Sequence, residues 1–165
     1  MGKAFESPEG SVWPLFLTAH AVLVERIEAR LAAAGLPLLA WYDVLWALER
    51  APERRLRMSE LADHVVLSRS NLTRLVDRLE EAGVVARERS EEDRRGAYAV
   101  ITTDGRELRR RMWPTYELAI RELFESQLNE VEARHIRSAL RRMLDAARKV
   151  PGAEATTRGA AKRAR

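Results

Sequence analysis

Apolar residues recur along most of the chain with the period of an α-helix. From residue 12 to 34 this spacing predicts one long amphipathic helix that ends at Gly35, with apolar positions at Phe16, Ala19, Leu23, Ile27 and Leu31. The next segment, LLAWYDVLWALE at residues 38 to 49, is apolar on almost every side and predicts a helix buried on most of its faces. Pro52 lies just beyond that segment and predicts its end.

Two short helices are predicted next. Ser59 is a suitable N-terminal cap for a helix that reaches about residue 66. Ser68 can cap a second helix, which runs to Ala82 and ends at Gly83. Because so few residues separate the two helices, they cannot be collinear. The segment therefore predicts a helix-turn-helix unit.

The pattern changes from helical to extended after Gly83. The runs VVARER at residues 84 to 89 and AYAVIT at residues 97 to 102 predict two short β-strands. The polar stretch SEEDRRG lies between them. Together they predict a β-hairpin with a charged tip, here called the wing.

Two further helices complete the predicted order of elements. Thr102 or Thr103 can cap a helix that reaches about residue 124, and Pro114 should kink that helix or divide it. Asn129 and Glu132 have the spacing of a capping box, which opens a final helix. The predicted fold class is mainly α with a small β-hairpin wing: a winged helix-turn-helix flanked by long terminal helices.

The long terminal helices carry apolar stripes wider than one short central module can cover. Burial against a second copy is the simplest solution, so a homodimer is expected. We accordingly predict four segments: an N-terminal dimerisation helix at 8–36, the winged helix-turn-helix at 37–103, C-terminal dimerisation helices at 104–150, and a disordered basic tail at 151–165.

Composition excludes several classes of function. The net charge is +4, but the tail alone accounts for +3, so charge by itself argues only weakly for nucleic acid. The absence of cysteine excludes disulfides and thiolate metal sites. No phosphate loop, nucleophile elbow or metal-ligand spacing of histidines occurs, so no enzyme, cofactor or metal site is expected. No segment resembles a membrane span or a signal peptide, which favours the cytoplasm.

The helix after Ser68 has one apolar face and one polar face. Advancing about 100° per residue places Leu72, Leu75, Val76 and Leu79 together. A solvated surface helix would show the same pattern, but such a helix gives no reason for a preceding helix, a tight turn and a following hairpin. The whole unit favours DNA binding, with base or phosphate contacts expected from Ser68, Arg69, Ser70, Asn71, Thr73, Arg74 and Arg78.

The tip of the wing carries charges of both signs. A ribbon beside a recognition helix can place an arginine in the narrow minor groove, and Arg94 and Arg95 are the candidates. Asp93 could pair with one of them and orient it. Glu91 and Glu92 would repel phosphates if they pointed the same way. One oriented arginine is therefore expected to act, and not the tip as a whole.

The order of elements resembles the MarR (multiple antibiotic resistance regulator) family of winged helix-turn-helix regulators. The segments that carry this resemblance are YDVLWAL, MSELADHVVLSRSNLTRLVDRLEEAGVV, EEDRRGAYAVIT and TDGR, within residues 36 to 106. The resemblance implies a homodimer with interlocking terminal helices on a pseudo-palindromic operator of double-stranded DNA. It also implies that Asp93 orients Arg95 into the minor groove. A small aromatic or anionic effector would bind between the dimer helices and the DNA module and release the DNA.

A narrower resemblance concerns the urate-responsive members of that family. These members use a tryptophan, an aspartate and two arginines, which Trp13, Asp43, Arg74 and Arg87 match in position. For Asp43 a structural ion pair or a place on the helix surface is the alternative, because a buried carboxylate needs a partner. The tryptophans are also expected to pack in the core or at the dimer contact.

The resulting prediction is a cytoplasmic, sequence-specific DNA-binding regulator of transcription. It is expected to act as a homodimeric repressor that a small-molecule ligand releases from its operator. The alternative is a helical dimer that binds a ligand or a protein and does not bind DNA.

Overall fold

The computed structural model describes residues 10–65, 69–89 and 97–149. They divide into two compact units, one within Met1–Phe124 and one within Glu125–Arg165. The helices are α1 Trp13–Ala33, α2 Leu39–Arg50, α3 Met58–His64, α4 Arg69–Glu81, α5 Thr103–Leu123 and α6 Glu130–Lys149. The strands are β1 Arg55–Arg57, β2 Val85–Arg89 and β3 Ala97–Ile101. The predicted fold class is confirmed.

The core of the first unit lies where α1 and α2 pack against α5 and where the helix-turn-helix packs against α2 and the sheet. An ion pair of 2.7 Å between Arg30 Nη1 and Glu122 Oε2 joins α1 to α5 at the surface. The predicted face of α1 is buried only in its second half. The side chains that close this core are fully or almost fully buried: Ile27, Leu31, Val44, Leu45, Leu48, Leu61, Leu108 and Met112.

The wing is part of a three-stranded antiparallel sheet with the order β1-β3-β2. The two predicted strands pair with each other, Val85 opposite Ile101 and Arg89 opposite Ala97. The third strand, β1, was not predicted. It pairs with the far side of β3, with Leu56 opposite Ala99, and both of these side chains are buried.

The start of α3 differs from the prediction. Ser59 is not its N-cap, because the helix already begins at Met58, directly after β1. The backbone N–H of Arg57 donates a hydrogen bond of 2.9 Å to Glu60 Oε2. Glu60 thus satisfies the backbone N–H of the residue that precedes α3.

The two predicted helix ends at glycine are confirmed, and α5 continues past Pro114. Gly35 and Gly83 have φ values of 68° and 71°, the left-handed conformation that ends a helix at glycine. Pro114 does not divide α5, which continues through it to Leu123. Of the two predicted N-cap candidates for α5, Thr102 is the one that caps the helix. Its Oγ1 accepts a hydrogen bond from Gly105 N.

The second unit contains α6 and the 3₁₀ turn Glu125–Gln127. The predicted capping box is confirmed: Asn129 Oδ1 accepts hydrogen bonds from the N–H groups of Val131 and Glu132, and Glu132 Oε2 accepts one from Asn129 N. The apolar stripe of α6 remains largely exposed. Met143 and Leu144, for example, keep 57% and 54% of their surface accessible.

Among residues 10–65, 69–89 and 97–149, no helix is both long and apolar enough to cross a bilayer. Within the same ranges no group of three histidine, aspartate or glutamate side chains could hold a metal ion.

Candidate nucleic-acid interface and ligand site

The recognition-helix candidate α4 is anchored by its apolar face. Leu72, Leu75, Val76 and Leu79 are between 0% and 3% exposed, as the helical spacing predicts. Burial of each such side chain contributes on the order of 2 kcal/mol, which fixes how the helix is turned. The opposite face is therefore presented to solvent, with Asn71, Thr73, Arg74 and Arg78 exposed.

The acidic second half of α4 is partly neutralised by an arginine of the wing. Arg87 of β2 contacts Asp77 Oδ1 at 2.5 Å and Glu80 Oε2 at 3.4 Å. These ion pairs remove negative charge that would repel a DNA backbone near α4. They also join β2 to the side of α4.

A close joint fixes the base of the wing to the start of α5. Thr102 Oγ1 donates a hydrogen bond of 2.8 Å to the Gly83 carbonyl, and Thr102 N donates one of 3.2 Å to the Val84 carbonyl. The backbone of Gly105 lies so close to that of Val84 that a Cβ atom at residue 105 would overlap the Val84 carbonyl oxygen. The Thr-x-x-Gly spacing of the sequence is thus a packing requirement of this joint.

Arg74 lines a cleft of about 290 Å³ between the start of α2 and α4. Its backbone carbonyl accepts a hydrogen bond of 3.4 Å from Arg78 Nε. Leu38 and Ala40 form the α2 side of this cleft, and Asn71 and Leu75 belong to its α4 side. A guanidinium that is both exposed and flanked by a cleft can face either DNA or a bound small molecule.

Several predicted DNA contacts lie at or beyond the limits of the described residues. Arg69 and Ser70 belong to the first turn of α4. Ser68, the wing residues Asp93, Arg94 and Arg95, and the basic tail 151–165 lie outside the described residues. The structure accordingly describes the two strands of the wing and the helix beside it.

The four residues predicted to hold a ligand lie in different surroundings. Trp13 stacks on Phe16 with ring centroids 5.9 Å apart, and 60% of its surface is exposed. Arg87 is engaged by the two carboxylates of α4, and Arg74 lines the α2–α4 cleft. Among the residues that the structure describes, no hydrogen bond or ion pair joins any two of Trp13, Asp43, Arg74 and Arg87.

Asp43 lies next to a cluster of three aromatic rings. Tyr42 stacks on Trp113 at 5.9 Å and meets Tyr116 edge-on at 5.0 Å, which brings α2 and α5 together. Burial raises the pKa of Asp43 to about 6. In the described part of the chain, no side-chain hydrogen bond or ion pair compensates this carboxylate. The structural ion pair considered for it is therefore not formed within the described residues.

Comparison with known proteins decides the family. A family model described as "MarR family" matches residues 34–96. The crystal structure of AbsC, a MarR family transcriptional regulator from Streptomyces coelicolor, has a TM-score of 0.78 and 30% sequence identity. The match covers 89% of this chain and 99% of AbsC. The chain belongs to the MarR family. The relatives found are named as regulators or repressors of transcription.

A second structure resembles this MarR-family regulator equally well. Sco3205, another MarR family regulator from Streptomyces coelicolor, was solved in complex with DNA. It has a TM-score of 0.80 and 29% identity, over 88% of this chain and 91% of Sco3205. The transcriptional repressor MprA of Escherichia coli is 29% identical over 79% of this chain and 73% of its own length. For two other curated relatives, the Bacillus subtilis regulator YfiV and PrsX of Escherichia coli, the match spans 44% and 61% of their length.

Two interactions of this MarR-family regulator were not foreseen from the sequence. Arg55 and Arg57 of β1 both lie over the ring of Tyr98 on β3, at 4.9 and 5.2 Å. Arg109 of α5 forms an ion pair with Glu49 of α2, and both side chains are about four-fifths buried. Tyr98 could have been flagged by its outward position on a predicted strand, but its partners belong to the strand that was missed.

Replacing Asp43 with asparagine should stabilise the protein at neutral pH. Because the folded pKa is raised, the contribution of Asp43 to stability is fully present below about pH 4 and is lost as the pH rises through about 6. After allowance for partial solvent screening, Asp43→Asn should gain about 1–2 kcal/mol at pH 7.5. Urea unfolding between pH 4.5 and 7.5 measures this.

The matched control is Asp63→Asn, which removes an exposed carboxylate from α3. Its stability should follow the same pH dependence as the unmodified protein. An Asp43→Asn variant whose pH dependence stays parallel to that of the unmodified chain would show that Asp43 carries no buried charge.

Proposed function

We propose that this MarR-family regulator binds double-stranded DNA as a homodimer and represses transcription until a small-molecule effector releases it. The observation that carries the proposal is α4: a helix anchored by four buried apolar residues, with a polar and basic outer face and a wing strand bound to its side. A DNA complex of Sco3205 and the repressor name of MprA support the DNA-binding and repressing roles.

In this proposal α4 enters the major groove of a pseudo-palindromic operator. Arg74 and Thr73 contact base edges, because arginine can bond both acceptors of guanine and threonine can bond bases or phosphates. Arg95, oriented by Asp93, enters the adjoining minor groove. The remaining proposed contacts, to bases or phosphates, come from Ser68, Arg69, Ser70, Asn71, Arg78 and Arg94.

The dimer is proposed from apolar surface that each unit leaves uncovered. At the start of α1 and just before it, Val12, Trp13 and Leu15 are 60% to 70% exposed. In α6, the side chains of Val131, Met143 and Leu144 are about half exposed. Large exposed apolar patches mark protein contacts, and a second copy would cover both. Residues 8–36 and 104–150 would then be dimerisation segments around a DNA-binding domain at 37–103.

The effector is proposed to be a small aromatic or anionic molecule. Asp43, in its aromatic surroundings, and Arg74 at the α2–α4 cleft are the contacts best placed for it, with Trp13 and Arg87 as the further members of the set. The chain would act in the cytoplasm, where its operator lies, as a regulator without enzymatic activity.

Salt-dependent DNA binding tests the proposal. Fluorescence anisotropy with a labelled duplex from upstream of the protein's own coding sequence should give log K that falls linearly with log salt concentration. For six to ten phosphate contacts the affinity should drop by about 10³-fold or more between about 50 and 200 mM salt. A scrambled duplex of the same length is the control for sequence preference.

A second candidate is a helical dimer that binds a ligand or protein and does not bind DNA. The exposed apolar surfaces of α1 and α6 are compatible with it. If neither duplex binds at low salt while the protein remains a folded dimer, this candidate replaces the DNA-binding proposal.

A further inference from the structure

A second cleft lies away from α4, where the end of α2 meets β1 and α3. It measures about 400 Å³, within the range of small-molecule sites. Trp46, Ala47 and Arg50 of α2 form one wall, Pro52 and Leu56 form the next, and His64 of α3 closes it. None of the proposed DNA or effector contacts belongs to it.

The cleft combines a half-exposed tryptophan with an arginine that lies over its ring. Trp46 leaves 44% of its surface exposed, although it lies on a helix that is otherwise mostly buried. The guanidinium of Arg50 lies over its ring, 4.8 Å from the centroid. The cleft therefore presents aromatic surface and a positive charge side by side.

Within the described residues, no carboxylate that lines the cleft competes for the charge of Arg50. Among the described residues that line the cleft, there is no aspartate or glutamate. The two nearest glutamates along the chain are used elsewhere: Glu49 pairs with Arg109, and Glu53 pairs with Arg55 at 2.5 Å. Arg50 is therefore the charged group of the cleft, and His64 adds an imidazole that can donate a hydrogen bond.

The turn that follows Pro52 has an uncommon backbone conformation. Glu53 and Arg54 follow Pro52 with φ values of 54° and 57°, a region that residues other than glycine seldom adopt. Such conformations concentrate at ligand clamps and other functional sites. The turn places Pro52 at the cleft and leads directly into Leu56.

We propose that this cleft binds a planar aromatic carboxylate. The ring lies against Trp46, Pro52 and Leu56, and the carboxylate pairs with Arg50. Because the cleft joins the end of α2 to the end of α3, a ligand there changes the position of the first helix of the helix-turn-helix and hence the affinity for DNA. This last step, but not ligand binding itself, rests on the proposed DNA-binding function.

Calorimetry of the full chain with 2-naphthoate tests the site without DNA. Arg50→Gln should weaken binding by about tenfold, because it removes a charge-assisted contact. Trp46→Leu should weaken it by a similar factor through the lost stacking surface. Arg110→Gln, an exposed arginine of α5 that pairs with Glu107, is the matched control and should bind as the unmodified chain does.

The neutral probe 2-naphthamide separates charge from shape. The unmodified chain should bind 2-naphthamide about tenfold more weakly than it binds 2-naphthoate. Arg50→Gln should bind 2-naphthamide with the same affinity as the unmodified chain does, because the neutral probe makes no ion pair with Arg50. Absence of 2-naphthoate binding to the unmodified chain overturns the proposal. So does binding that Asp43→Asn or Arg74→Gln weakens while Arg50→Gln and Trp46→Leu leave it unchanged, since the ligand then lies at the other site.

Fluorescence anisotropy with operator DNA tests whether ligand binding in the cleft changes the affinity for DNA. At a 2-naphthoate concentration about equal to the dissociation constant of the unmodified chain, the ligand should change the DNA affinity of that chain measurably and should change that of Arg50→Gln much less. If calorimetry succeeds but the chain does not bind DNA, the proposed function fails and the site stands. If DNA binds normally but 2-naphthoate does not bind, the site alone is overturned.

Discussion

Gly105→Ala is expected to destabilise the protein by about 2–3 kcal/mol, because overpacking at a rigid contact cannot be relieved by a side-chain rotation. A Cβ atom at this position would overlap the Val84 carbonyl oxygen and would lie 2.9 Å from Ile101 Cγ1. The carbonyl cannot move freely, since it accepts the hydrogen bond from Thr102 N. Relief of the overlap must therefore shift the start of α5 away from the wing.

Urea unfolding followed by circular dichroism, at one fixed protein concentration, measures the effect. Gly10→Ala is the matched control, because a Cβ atom at Gly10 meets nothing within 4 Å. That variant should stay within about 0.5 kcal/mol of the unmodified protein. Equal urea midpoints for the two alanine variants would show that the Val84 carbonyl does not restrict the size of the residue at position 105.

The elements that depend on local pattern were predictable from the sequence. The four buried positions of α4 follow from a period of 3.6 residues, and the capping box of α6 follows from Asn129 and Glu132 alone. The hairpin strands also follow from their own alternation and from the polar stretch between them. In each case the residues that determine the element lie within a few positions of one another.

Elements that depend on distant partners were not predictable. The strand β1 has only three residues, two of them arginines, and it exists because Leu56 is buried opposite Ala99 of β3. Ser59 fits the local pattern of an N-cap, but β1 leads directly into a helix that begins at Met58. Similarly, the sequence placed Asp43 among aromatic residues of its own helix, whereas Tyr116 comes from α5 and is brought close only by folding.

In the candidate site, too, features set by local sequence were predictable and features set by distant partners were not. The exposed face of α4 could be deduced from its helical period, including Thr73 and Arg74. The pairing of Arg87 with Asp77 and Glu80 could not be deduced in that way, because it requires that β2 pack beside α4. This pairing offsets part of the negative charge at the end of α4. It also gives Arg87 a structural role in addition to the ligand contact proposed for it.

Arg74→Ala is expected to reduce discrimination between the operator and a scrambled duplex by about tenfold or more, the effect of one lost bidentate contact to guanine. Arg74 is exposed on the outer face of α4, and the buried leucines beside it keep the helix in place after the substitution. The protein should therefore remain folded and dimeric, and the loss should appear in binding to the operator far more than in binding to scrambled DNA.

Arg110→Ala provides the comparison, because it removes the same charge from an exposed position on α5. The salt dependence then distinguishes the two possible roles of Arg74. If Arg74 contacts a base, the slope of log K against log salt stays close to that of the unmodified chain. If both duplexes are weakened equally and the slope falls by about one, Arg74 contacts a phosphate, and the base preference must come from its neighbours on α4.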